Sequence, residues 1–282
     1  MTSFDVIRKL KPFFYEKYGK GKGRSKLKVG HFGTLDPFAD GLLLVGTGQS
    51  LKLTNYIHEN LSKEYLACGV LGQRTLTGDC EGDVVETNDK LLTDDEIKGS
   101  LNSFKGEYLQ SPSYFSAVKH EGKPLYEYAR EGIFIDKDPV LRVVLDISFI
   151  ERNEDRVLFS TRVSTGTYIR KLWEDSCEKL GSLGHLVNLK RTSIGDLSVD
   201  KALELDKITS ADDLVSVDPS CVLNFSKQEL GEENLKLVSH GGDILMNCEE
   251  DLVWLVSGER ICALGKHLGN SYYRPVVNFS AG

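Results

Sequence analysis

Gly30-His31-Phe32-Gly33-Thr34-Leu35-Asp36-Pro37-Phe38-Ala39-Asp40-Gly41 is the stretch of this chain with the most chemistry in the fewest residues. Three glycines, a proline and two carboxylates within twelve residues make a rigid, tightly turned loop. Asp36 stands before Pro37, which biases its backbone toward an extended conformation and fixes the direction of its carboxylate. A carboxylate held in that way, beside a histidine and on a loop braced by the core, can act as a nucleophile or as a general acid–base. The plainer reading of the same residues, an Asp-Pro turn with a structural histidine, stands beside it.

Other chemistries find little support. His31, His58, His120, His185, His240 and His267 show no ligand spacing such as H-E-x-x-H. The six cysteines include no C-x-x-C pair, which points to free thiols in a reducing compartment. The Gly/Lys segment 17–28 lacks the G-x-x-x-x-G-K-[ST] pattern of a phosphate loop, and no G-x-S-x-G nucleophile elbow is present.

The elements that must position this loop follow from periodicity. Ser3 can cap an N-terminal helix carrying Phe4, Ile7, Leu10 and Phe14, which Pro12 should kink or shorten. The apolar run 42–45 reads as a buried strand, 49–57 as helical and 64–70 as a strand. Thr93 followed by Glu96 is a capping box for a helix through Ile97, Leu101 and Phe104. The β-branched runs 140–150 and 156–163 form a hairpin. Ile169, Leu172, Trp173, Ser176 and Leu180 share one helix face, with Gly181 placed to end it. Strands and helices mix without βαβ alternation, so the expectation is an α+β domain. From about residue 219 short apolar runs between glycine turns suggest a small β-rich module.

Composition places the chain among ordinary globular proteins: 282 residues, 40% hydrophobic and 27% charged. It shows neither an apolar run long enough to span a membrane nor a secretory leader, so a soluble cytoplasmic protein is expected. Charge is divided unevenly. Residues 1–30 hold nine Lys/Arg against two acids, whereas residues 201–282 hold seven against thirteen. A basic arm on an acidic body can contact phosphate, because screening limits the reach of each charge to about 10 Å. A solvated loop is the other reading of the concentrated segment 17–28.

The 30–41 segment, with Gly48 and Lys52 behind it, resembles the signature of the TruB-type tRNA pseudouridine synthases, G-H-x-G-x-L-D-P-x-A-x-G. The likeness continues in order. Lys63-Glu64-Tyr65 and Leu71-Gly72-Gln73-Arg74-Thr75 resemble the second motif. Gln110-Ser111-Pro112, Ser116-Ala117-Val118-Lys119 and Leu125-Tyr126-Glu127-Tyr128-Ala129-Arg130 resemble an RNA-gripping thumb, about 110–139. Gly166-Thr167-Tyr168-Ile169-Arg170 and Leu189-Lys190-Arg191 complete the set. The resemblance implies the pseudouridine synthase fold: a mixed, largely antiparallel central sheet with flanking helices over 1–218, and a short PUA-like module over 219–282.

It further implies that Asp36 is the nucleophile that isomerises a T-loop uridine of tRNA, position 55, to pseudouridine, without metal or organic cofactor. The target base must leave its stack before its glycosidic bond can be reached. By resemblance His31 occupies the place of the extruded base, Tyr65 stacks on the uracil, and Arg170 pairs with Asp36 and aims it. Tyr168 and Leu189 line the uracil pocket, and Lys52 contacts phosphate. The implied partner is the T-arm of tRNA, met by a monomer with no protein partner required and no membrane.

The match departs from the family in places. The opening strand with its Lys-Pro pair has no counterpart, since Met1 stands directly before Thr2-Ser3, so either the chain is truncated or another segment covers the sheet edge. Asp40, Ser113, Phe115 and Val163 replace the usual Thr or Ser, Pro, Tyr and Cys, and none of the four carries an assigned role. Two other functions are compatible with the motifs: an RNA-folding protein whose catalysis is incidental, and a guide-dependent relative acting inside a ribonucleoprotein.

Overall fold

A computed structural model describes residues 1–23 and 26–279, so Arg24 and Ser25 of the basic segment lie outside the described residues. The chain divides into two compact units. The first contains Leu35–Leu42 and Leu61–Ala202; the second contains Thr2–Thr34, Leu43–Asn60 and the chain from Leu203 onward.

The first unit is built on a seven-stranded sheet. Its order is Leu197–Ser198, Gly184–Ile194, Lys63–Leu71, Arg156–Val163, Val140–Asn153 and Gly106–Gln110, each pair antiparallel. The short strand Asp40–Gly41 joins Gly184–Ile194 in parallel, so the sheet is mixed and largely antiparallel, as expected. Alternation along Lys63–Leu71 turns Tyr65 and Ala67 inward, opposite Thr161 and Phe159 of the neighbouring strand. There they pack with Leu101 of the Asp94–Asn102 helix and with Ile169, Leu172 and Trp173 of the Ile169–Lys179 helix. Trp173 stacks on Phe159 at 5.4 Å between centroids and donates its indole N–H to the Val70 carbonyl at 3.2 Å. Gly69 makes that possible, because a Cβ there would lie 2.2 Å from the indole ring. The Thr93–Glu96 capping box forms as read, but its helix, Asp94–Asn102, ends before Phe104. The 140–153/156–163 hairpin turns at Glu154, which adopts φ +54°.

The second unit holds the N-terminal helix Ser3–Tyr18, the paired strands Val29–His31 and Val45–Thr47, the 3₁₀ segment Gly48–Leu53 and the helix Thr54–Asn60. It also holds a five-stranded sheet ordered Lys227–Glu229, Leu252–Ser257, Arg260–Gly269, Tyr272–Asn278, Ile244–Leu245. Val253, Leu255, Ala263 and Tyr273 of this sheet pack against Leu230 and Val238. This is the small β-rich module expected, and its form fits a PUA-like domain.

Three local expectations need correction. Thr2, not Ser3, caps the first helix, in a box with Asp5, and Ser3 is buried in the first turn. Of the two effects expected of Pro12, kinking or shortening, the helix is not shortened, since it runs through Pro12 to Tyr18. The run 42–45 is not a strand: Leu42 is buried, but the chain leaves the large sheet after Gly41 and pairs again only from Val45.

Gly41 secures the first of these sheet contacts. Its φ is +102°, and a Cβ there would sit 2.3 Å from the Arg191 carbonyl oxygen. Leu42 N–H donates to that same oxygen at 2.8 Å. Gly41→Ala must therefore both strain the backbone and push the strand away, and we expect a loss of at least about 2 kcal/mol. A melting temperature within a degree of the unaltered protein would contradict that.

Candidate active site

The site grows from the start of the Ile169–Lys179 helix. Gly166, at φ +82°, turns the chain, and Tyr168 takes an extended N-cap conformation. Gln110, almost fully buried, clamps that cap: Tyr168 N–H donates to its Oε1 at 2.8 Å, and its Nε2 donates to the Tyr168 carbonyl at 3.0 Å. The clamp sets the position of Arg170, one residue into the helix.

Arg170 is 3% exposed, so it is not a solvated surface charge. Its guanidinium grips Asp36 with two bonds, Nε to Oδ2 at 2.9 Å and Nη2 to Oδ1 at 3.2 Å. Nη1 donates to the Thr77 carbonyl at 2.5 Å and Nη2 to the Phe115 carbonyl at 3.1 Å. On its far side Nη1 lies 3.5 Å from Asp79 Oδ2. A buried guanidinium is tolerable only when its donors are satisfied and its charge is met, and both conditions hold here. Asp79 is itself anchored, accepting from Thr77 Oγ1 at 2.6 Å and from Glu81 N–H at 3.0 Å. The result is a carboxylate–guanidinium–carboxylate row in which Asp79 is nearly inaccessible while the Asp36 side chain retains 30% exposure. Asp36 is also fixed from its own loop, where its carbonyl accepts from Ala39 N–H at 3.0 Å across the Pro37–Phe38 turn.

Tyr65 and Leu189 lie in the same core cluster as Ile169, with Leu35, Phe38 and Ala39 of the Asp36 loop packed against it. Register places Arg191 beside Tyr65 and Leu189 beside Ala67. Arg191 is 1% exposed, donates Nε–H to the Leu42 carbonyl at 2.7 Å and hydrogen-bonds the Tyr65 side chain. Burial pushes the Tyr65 phenol up from its ordinary value, and the Arg191 charge opposes part of that rise, so the ring stays neutral at physiological pH. Such a site offers an anchored, outward-facing carboxylate, a neutral aromatic ring and an apolar wall. These are parts that can hold a planar base and attack the sugar attached to it.

The structure thus brings Asp36, Arg170, Tyr65, Tyr168 and Leu189 into one unit. His31 and Lys52 belong to the other, His31 half-buried in the Val29–His31 strand and Lys52 exposed on the 3₁₀ segment Gly48–Leu53. Sequence reasoning assigned no role to Asp79, Gln110 or Arg191. Gln110 and Arg191 stood in recognised motifs, while Asp79 lay in an acidic, turn-rich stretch with nothing to distinguish it from its neighbours.

Comparison with known proteins gives this geometry a lineage. Residues 21–169 match the TruB family pseudouridylate synthase N-terminal domain. A tRNA pseudouridine synthase B of Haemophilus influenzae is 33% identical, over 99% of this chain and 90% of its own length. This chain is a TruB-family pseudouridine synthase. A second synthase B, from Mannheimia succiniciproducens, is 35% identical over 86% of this chain and 78% of that protein. Among solved structures, a Cbf5-Nop10-Gar1 complex contains a chain with TM-score 0.65 and 23% identity, spanning 96% of this chain and 76% of that one. A chain of an H/ACA RNP bound to a substrate RNA containing 2'-deoxyuridine gives 0.66 and 22%, spanning 99% and 81%. These likenesses establish the shared fold. As a family member the chain is an isomerase, and no described helix is long and apolar enough to cross a membrane.

One buried cation of this TruB-family unit has a measurable signature. Burial, with the Arg191 charge next, pushes the Lys63 ammonium down to about 8. Its Nζ donates to Thr165 Oγ1 at 3.2 Å. Below pH 8 the folded protein holds a charge it would shed more easily than the unfolded chain, at a cost of the order of 3 kcal/mol. From about pH 8 to about 10.4 the unfolded chain binds the extra proton, so this contribution to stability rises with pH. Lys63→Met should raise stability at pH 7 and shrink the gain between pH 8 and 10, read from denaturant midpoints of the two proteins. Parallel pH curves would count against it.

Proposed function

We propose that this chain converts the uridine at position 55, in the T-loop of tRNA, to pseudouridine, with Asp36 as the nucleophile. The observation that carries this reading is the two-bond Arg170–Asp36 grip within a unit that also holds Tyr65 and Leu189. The names of its relatives, tRNA pseudouridine synthase B, support tRNA as the substrate.

The reaction breaks the bond between N1 of uracil and C1′ of ribose and forms one between C5 and C1′. The C5 proton is lost and N1 gains one, so the product is an isomer and no electrons are exchanged. The carboxylate can attack C1′ directly or accept a proton on the way to a glycal; both routes need the same fixed oxygen. Arg170 holds that oxygen in place before the substrate arrives, which removes reorganisation from the barrier. Tyr65 offers a face to the freed uracil, worth about 1–3 kcal/mol per stacked base. Tyr168 and Leu189 would close the pocket, His31 would fill the place of the extruded base and Lys52 would meet phosphate. In this reading residues 1–218 are catalytic, with the thumb at about 110–139, and 219–282 add a module of their own. The protein acts as a monomer in the cytoplasm and needs neither cofactor nor partner protein.

Tritium at C5 of uridine gives the test. Unmodified tRNA carrying that label, incubated with the purified chain alone, should release about one equivalent of tritium to water per tRNA. No release without added components would refute a stand-alone synthase.

A further inference from the structure

We infer that the outer stripe of the Ser3–Tyr18 helix is a contact surface for the RNA substrate, taking an unpaired base on Phe4 and the flanking phosphates on Arg8 and Lys11. This rests on the proposed reading that the substrate is RNA.

The helix has two stripes. Ser3, Ile7, Leu10 and Phe14 recur at spacings of four and three and turn inward. Phe4, Arg8, Lys11, Tyr15 and Tyr18 recur at the same spacings, one position on; Phe4, Arg8 and Tyr18 are exposed, and Lys11 and Tyr15 between them are half-buried. Phe4 is 58% exposed, a large apolar area to leave in water. Two cations lie over its ring, Arg8 Cζ at 5.4 Å and Lys11 Nζ at 5.8 Å from the centroid, and Lys20 Nζ lies over the ring of Tyr15 at 5.9 Å.

The acids of this segment, Asp5 and Glu16, lie off the stripe. Asp5 reaches Arg8 at 3.1 Å, but the Arg8 side chain is 69% exposed, and such a pair restrains it little. The other helix cations are engaged elsewhere: Lys9 with Asp206 at 2.6 Å, and Lys17 with the Leu214 carbonyl at 2.5 Å. Among the described residues Lys11 makes no ion pair, and Arg8 pairs only with Asp5 of its own helix.

Cations covering a ring would by themselves be worth only about 0.5–1 kcal/mol to the fold, and that does not call for a surplus of charge. The surplus is large. The helix itself carries four Lys/Arg against two acids and residues 19–30 add five Lys/Arg, so 1–30 together are +7 and the remaining chain must carry −14 for the total of −7. A body of that sign repels RNA, and attraction has to come from a concentrated basic surface. Alternating aromatic rings and cations is the arrangement that binds unpaired nucleotides: bases stack on the rings while phosphates meet the charges.

Binding of unmodified tRNA across a salt series tests this, with pseudouridine formation at saturating tRNA measured on the same samples. Arg8→Gln/Lys11→Gln keeps good helix formers on an exposed face. It should weaken binding about ten-fold near 0.1 M salt and flatten the slope of log K against log salt by about 1.5. Phe4→Ala should weaken binding by at least about five-fold with the slope kept. Single-turnover rates at saturation should match the unaltered protein. Wild-type affinity and slope in both variants would overturn the inference. If the unaltered protein binds tRNA but forms no pseudouridine, the proposed reaction fails, and the comparison of affinities still decides the surface.

Discussion

Asp36→Asn should abolish pseudouridine formation, by about 10⁴-fold or more in single-turnover rate, and leave a folded protein that still binds tRNA. Asparagine has the same shape, and its oxygen can still accept from Arg170. It lacks the nucleophilic carboxylate, for which the chemistry has no substitute, and loss of a nucleophile is among the largest single-residue effects on a rate. The fold should suffer far less. Arg170 keeps the Thr77 and Phe115 carbonyls and Asp79, and the Asp36 side chain was already 30% exposed. Circular dichroism and tRNA affinity close to those of the unaltered protein, beside a null rate, would be the expected combination. Measurable turnover by this variant would remove Asp36 from the mechanism.

Arg170→Lys should be the second most damaging change, and it should act on both stability and rate. An ammonium keeps the charge but cannot grip Asp36 with two bonds while also reaching Asp79 and two carbonyls. Asp79, at 6% side-chain exposure, would lose its countercharge contact, and the Thr77 and Phe115 carbonyls would lose their donor. A loss of about 2–4 kcal/mol in unfolding free energy is expected. In the folded fraction, a carboxylate displaced by about 1 Å should cost roughly 10²-fold in rate. The tRNA dissociation constant, which does not depend on this pair, should change little. If Arg170→Lys loses tRNA binding but keeps its rate at saturation, the guanidinium serves substrate binding and not the aim of Asp36.

How much of this was legible before the fold was known depends on whether the signal was local. The Thr93–Glu96 capping box, the 140–153/156–163 hairpin and the Ile169–Lys179 helix all rest on patterns within a few residues, and all formed. The 42–45 run failed for a tertiary reason. Its apolar residues are accounted for by packing, but the backbone bond of Leu42 goes to Arg191, and the chain departs there. The short hairpin Gln73–Thr75/Val84–Thr87 gave no apolar alternation to read. Arg170 shows the limit most clearly. Only the family motif tied it to Asp36. Asp79, which meets Arg170 from the far side, carried no local mark at all, because its role exists only once the 77–81 turn is folded over the helix start.

The most direct measurement is the position of the product. An unmodified tRNA transcript, treated with the purified protein and no other component, is mapped for pseudouridine nucleotide by nucleotide, with Asp36→Asn run in parallel. The predicted map shows one new pseudouridine, at position 55 of the T-loop, present with the unaltered protein and missing with the variant. Pseudouridine at other positions only, or at position 55 with both proteins, would contradict the account.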